Sequence, residues 1–141
     1  MITCGRSVAV ALVLVSLAGC QMVTSDAKER ARLAAYAGNI TYPAGASVQT
    51  AQVGALISHD EKTLRVVNFS DKDMTNMDVW INRVYVRHVD SLAARSSVDL
   101  DLSRFYSKDG SYFGQNEQPK VELVQLESGG ALYALLGPVR E

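Results

Sequence analysis

The sequence predicts an all-β domain, an antiparallel β-sandwich of about seven strands, and three observations predict it. From residue 48 onward, short runs rich in Val, Leu, Ile, Phe, Trp and Tyr follow one another closely. Clusters of Asp, Asn, Ser, Lys and Gly separate them. No apolar stripe of helical period runs through this region. Short strands with regular turn signals are the pattern of a sandwich.

The first residues precede that domain. Arg6 is the only charge before an eleven-residue run, Val8–Ala18, that is apolar except for Ser16. As a helix the run would extend about 16 Å, short of the roughly 30 Å core of a bilayer. A positive start, a short apolar middle and a small-residue end describe a secretory signal peptide over residues 1–19. Its last residues, Leu17-Ala18-Gly19-Cys20, resemble the lipobox of bacterial lipoproteins. That resemblance implies a diacylglyceryl group on the Cys20 sulfur, cleavage before Cys20 and acylation, for instance with palmitate, of its new amine. Two or three buried chains hold a protein on a membrane, whereas one holds it only marginally. In lipoproteins an aspartate after the cysteine favours retention on the inner membrane. Gln21 stands there instead. The expected location is therefore the cell envelope, on the periplasmic face of the outer membrane where the organism has one.

Removing residues 1–19 from the 141 leaves 122, enough for one domain with a real core. Cys4 leaves with the signal, and a lipidated Cys20 leaves no thiol for a disulfide. Loss of Arg6 takes the net charge from −1 to −2. The basic residues are scattered, which argues against a nucleic-acid surface. Lys28, Arg30 and Arg32 are the densest group, and with Asp26 and Glu29 interleaved they read as a solvated helix face rather than a headgroup contact.

The stretch from Thr24 to Gly38 predicts one short helix, capped by Asp26 with Glu29 three positions on and stopped near Gly38. Pro43, Gly45 and Ser47 then punctuate the chain. Residues 20–47 therefore read as anchor, short helix and linker, and residues 48–141 as the sandwich domain. The strands are expected over residues 53–59, 63–69, 77–82, 84–89, 97–102, 120–127 and 131–136. Turns fall at His59–Lys62, Ser70–Asp73, Lys108–Gly110 and Ser128–Gly130.

One hairpin carries an internal test of register. With Asn82-Arg83 as a two-residue turn, Ile81 faces Val84 and Val79 faces Val86 on one side. Trp80 then meets Tyr85, and Asp78 meets Arg87, on the other. Further on, Val98, Leu100 and Leu102 alternate with Asp99 and Asp101, as in a half-wet strand. The pattern from Leu64 to Asn82 and from Ser91 to Phe113 resembles the small immunoglobulin-like domains of bacterial envelope proteins, the FxLYD-like kind. Shared features are an Asn-bearing strand, a strand pair, a small-residue and Ser turn before an alternating strand, and an aromatic with an Asp-Gly turn. The resemblance covers about half the mature chain. It implies an immunoglobulin-like sandwich and little about function.

Catalytic equipment is sparse. Ser58-His59-Asp60 are triad residue types, but consecutive strand side chains point to opposite faces. Two histidines and no free thiol supply a zinc site poorly. Asp71, Asp73, Asn76 and Asp78 lack the spacing of a calcium loop. Asp99 and Asp101 suit an edge strand kept soluble. No cofactor, metal site or catalytic residue is expected. The candidate binding patch is the aromatic pair Trp80 and Tyr85 with Asp78 and Arg87 beside it, where that face is exposed; where it is buried, the pair is ordinary core, and a structural role is the favoured reading. The functional expectation is a membrane-anchored, non-catalytic binding or assembly module with a protein partner in the envelope. The alternatives are a structural accessory subunit with no ligand of its own, or a hydrolase with a loop-built site.

Overall fold

The structure, a computed structural model, describes residues 18–116 and 120–140. Most of the expected signal peptide, residues 1–17, lies outside them, as do the side chains of residues 18–24, Cys20 among them. The elements are α1 (Ala18–Asn39), β1 (Val48–Ile57), β2 (Thr63–Asn68), β3 (Met74–Ile81), β4 (Tyr85–Leu92), β5 (Ser97–Asp101), a 3-10 turn (Leu102–Arg104), β6 (Val124–Ser128) and β7 (Ala131–Arg140). Every strand the sequence predicts is present, with ends shifted by a few residues.

The strands form one seven-stranded sheet in the order β4-β3-β6-β7-β1-β2-β5. The all-β expectation holds, but the sheet is mixed rather than wholly antiparallel, because β1 runs parallel to β7. A parallel pair needs a long connection, and here β2 to β6 supply it. The sheet curls until its two end strands share one core. Leu100 of β5 and Val89 and Leu92 of β4 belong to the same cluster as Val53, Ile57, Leu64, Val66, Met77, Val79, Ile81 and Leu126. Phe105, fully buried just after the 3-10 turn, joins that core as the chain leaves β5. The tight β6–β7 hairpin pairs Ser128 with Ala131 across Gly129 and Gly130. Both glycines take positive φ (58° and 79°), as such a turn demands.

The β3–β4 hairpin corrects the sequence reading. Asn82 and Arg83 do form the turn, both left-handed (φ 51° and 63°), with the Val84 N–H donating to the Ile81 carbonyl at 3.1 Å. Val84, however, is an extra exposed residue outside the ladder. Ile81 pairs with Tyr85, Trp80 with Val86, Val79 with Arg87 and Asp78 with His88. The register is one residue from the expected one. The reason is that β3 is buried on both faces: Val79 and Ile81 point into the core while Trp80 lies under α1. With apolar residues on both faces, alternation alone did not distinguish the two-residue turn expected from the longer one observed.

The helix also departs from expectation. It extends back to Ala18, so Asp26 lies inside it rather than at its cap, and it ends at Asn39, one residue past Gly38. A short helix, marginal alone in water, is expected to dock on the domain or lie near a membrane, and this one docks. Leu33 and Ala37 are buried with Trp80, Val86 and Tyr106 in a second cluster, on the face of the sheet away from the main core. Arg30, Leu33 and Ala37 recur at three- and four-residue spacing, which puts them on one side of the helix, and Ile40, just past its end, packs against the same cluster.

Candidate functional site

Two places concentrate polar chemistry. The first is the seam where α1 meets β3 and β4. Tyr36, one turn after Leu33, reaches the sheet and donates its hydroxyl to the Asp78 carboxylate at 2.7 Å. His88, directly across the ladder from Asp78, places Nδ1 2.8 Å from the same oxygen and 3.1 Å from the Tyr36 hydroxyl. Its Nε2 faces the exposed Asp90 at 3.3 Å. Burial first, then the hydrogen bond to Asp78, raises the Tyr36 pKa and holds the phenol protonated. Deeper in the seam, the Trp80 indole N–H donates to Glu127 at 3.3 Å, and the Tyr42 hydroxyl donates to Gln125 at 2.6 Å. The Tyr42 ring meets Trp80 edge-on at 5.4 Å.

Nearer its N-terminus, the helix is held by charge. Arg104 of the 3-10 turn bridges Asp26 at 2.5 Å and Glu29 at 2.8 Å, and Arg30 pairs with Asp26 one turn back at 3.1 Å. The hydrogen bond from Arg30, opposed by partial desolvation and aided by the Arg104 charge, lowers the Asp26 pKa. Sequence analysis missed Tyr36, Tyr42, Arg104 and Glu127. The helical spacing of Leu33, Tyr36 and Ala37 was the available signal for a docked face.

The second place is a cavity of about 580 Å³ at the end of the sheet where β1 turns into β2. Ile57, Leu102, Phe113 and Val121 line it with apolar surface, and Asp60, Glu61, Lys62, Asp101, Lys120 and Arg140 line it with charge.

The sequence-derived patch does not assemble. Trp80 is 3% exposed and lies beneath α1, while Tyr85 is on the opposite face, packed edge-on against Phe113 at 5.3 Å. Asp78 is engaged with Tyr36 and His88. Arg87 is half-buried, and desolvation followed by the nearby Arg104 charge lowers its pKa. The one-residue register shift is what separates the four. The other candidates have local roles. Asp60 accepts from the Ser58 hydroxyl at 2.5 Å and from the Lys62 N–H at 3.1 Å, a turn motif that leaves His59 out. Asp73 accepts from the Ala94 N–H at 2.8 Å, just before β3, whereas Asp78 lies within that strand. Asp99 forms a forked pair with Arg65 at 2.7 and 3.0 Å, on β5 at one end of the sheet. Asp101 caps the 3-10 turn through the Ser103 N–H at 2.9 Å. Among the described residues, no three His, Cys, Asp or Glu side chains are grouped as metal ligands, and no helix is long and apolar enough to cross a membrane.

No family model, curated protein or solved structure matches this chain.

Proposed function

We propose that this chain is a lipid-anchored bacterial envelope protein, held through Cys20, whose all-β domain is a non-catalytic binding or assembly module. The observation that carries the reading is Leu17-Ala18-Gly19-Cys20 closing a short apolar run that follows a single positive charge. The domain is read as an immunoglobulin-like sandwich. What supports this is the way the sheet curls: β5, β2 and β1 contribute Leu100, Leu64, Val66, Val53 and Ile57 to a core that β4, β3 and β6 complete with Val89, Val79, Ile81 and Leu126. The periplasmic face of the outer membrane, where there is one, is the favoured address.

The docked helix refines the anchor. Among the described residues, the helix makes its first ion pairs with the sheet domain at Asp26, and six helical residues from Cys20 to Asp26 advance only about 9 Å. An anchor on Cys20 would therefore hold the domain against the membrane surface rather than on a long leash, and its partner would be met there.

The test combines fractionation, acyl labelling and in-cell crosslinking of the chain tagged after Glu141. The expected outcome is an alkyne-palmitate label and membrane retention, both lost on Cys20→Ser, with one dominant partner captured only by the anchored form. A soluble, unlabelled chain would remove the anchor. An abundant, labelled bait that captures no protein would remove the assembly role.

A further inference from the structure

The cavity at the β1–β2 end invites a ligand of definite charge. Its volume, about 580 Å³, falls within the roughly 300–1,000 Å³ of small-molecule sites. Its floor is apolar: Ile57, Leu102, Phe113 and Val121 are all buried members of the main core. Its rim carries three carboxylates and three cations, so a count of charges suggests neutrality. The hydrogen bonds leave the charges in place but distinguish the two signs by which groups still have open hydrogen-bonding positions. Asp60 is committed to the Ser58 hydroxyl and the Lys62 N–H. Asp101 is committed to the Ser103 N–H and hydroxyl, at 2.9 and 2.7 Å. Glu61 and Arg140 pair with each other. Among the described residues, neither the Lys62 nor the Lys120 ammonium has a hydrogen bond or close ion pair. The acids of the rim thus turn their oxygens to local partners, and the Lys62 charge acts on Asp60 only through space, while the two ammoniums on their flexible stems keep their donors open.

We propose that this cavity binds an anionic amphiphile, its head between Lys62 and Lys120 and its apolar chain on the floor of Ile57, Leu102, Phe113 and Val121. The inference rests on the cavity alone and stands whether or not Cys20 is lipidated. A carboxylate and a monoalkyl phosphate share the required chemistry, the first from a fatty acid and the second from a phospholipid-like head.

The experiment places the full chain, with carbon-13-labelled Ile, Leu and Val methyls, in phosphatidylcholine nanodiscs. It is titrated below micelle-forming concentrations with octanoate, octyl phosphate and octylammonium. Octanoate or octyl phosphate should shift the Ile57, Leu102 and Val121 methyls saturably, and the tighter of the two names the head group. Octylammonium should give no saturable shift at these methyls. A Lys62→Gln/Lys120→Gln double variant should weaken the anion by about tenfold, the loss of two exposed charged contacts. Both lysines are exposed, so the variant's unshifted methyl spectrum before titration serves as the folding control. No saturable shift with either anion, an equal response to octylammonium, or unchanged affinity in a folded double variant would overturn the proposal.

Discussion

Asn68 is a polar side chain with no exposure at the end of β2, beside a core of aliphatic residues. Its amide nitrogen donates to the carbonyls of Lys72, Leu92 and Ala93, at 2.8, 3.3 and 3.3 Å. Its oxygen accepts from the N–H and hydroxyl of Ser70, at 3.0 and 2.7 Å. One residue thus ties the β2–β3 loop to the end of β4. Asn82 does the same at the other end: its nitrogen donates to the Lys120 carbonyl at 2.7 Å, and its oxygen accepts from the N–H groups of Glu122 and Leu123. Removing a buried amide leaves carbonyls without donors. Asn68→Ala should therefore lower stability by about 2–3 kcal/mol in urea denaturation, while a loss within measurement error would mean the loops hold themselves. The sequence marks Asn68 only as an asparagine in a strand. Ser70 and Lys72 lie in the loop that follows it, but Leu92 and Ala93 come from the end of β4, and nothing local announces them.

At the scale of the element, α1 decides a question the sequence left open. Its composition marks it as helical, but where it docks depends on a surface elsewhere in the chain. Trp80 and Val86 provide that surface, and the same contact makes Trp80 core rather than part of a binding patch. Leu33 is 5% exposed in this interface, so Leu33→Ala should cost about 2–3 kcal/mol and speed hydrogen exchange across the helix. Tyr36 adds a pH dependence. Its folded-state pKa is raised above the ordinary tyrosine value of 10.0 by burial and by Asp78. The folded state thus retains a proton that the unfolded chain loses above that pH. The contribution is present in full below pH 10 and declines as the pH rises beyond it. Wild-type docking, read by exchange of the helix amides, should weaken above pH 10. Tyr36→Phe should flatten that alkaline decline, and an identical decline in the variant would assign it to other groups.

At the scale of the whole molecule, β7 occupies the middle of the sheet, between β6 and β1. Its ten residues pair antiparallel on one side and parallel on the other. Deleting residues 131–141 would leave β1, β2 and β5 disconnected from β3, β4 and β6 and expose the core between them. The expected result is loss of cooperative urea unfolding and of near-ultraviolet circular dichroism. A cooperative transition in the truncated chain would show that the halves cohere without it. By contrast, the half-exposed pair Arg65–Asp99 contributes less than about 1 kcal/mol, since both side chains remain in water.

By itself the sequence determined the seven strands, most turns and the helical character of residues preceding the sheet. Those features follow from local chemistry: β-branched and aromatic runs, Gly-Gly and Asn-Arg turns, and good helix formers in succession. Only the tertiary structure decided the parallel β1–β7 seam, the register of the β3–β4 hairpin, the burial of Trp80 beneath α1 and the cavity lined by both Lys62 and Lys120. The physical reason is that a strand's period tells which residues share a face but not whether the opposite face is wet. In β3 a helix covers that second face, and the extra turn residue Val84 shifts the register, so Trp80 pairs with Val86 under the helix while Tyr85 pairs with Ile81 on the core side.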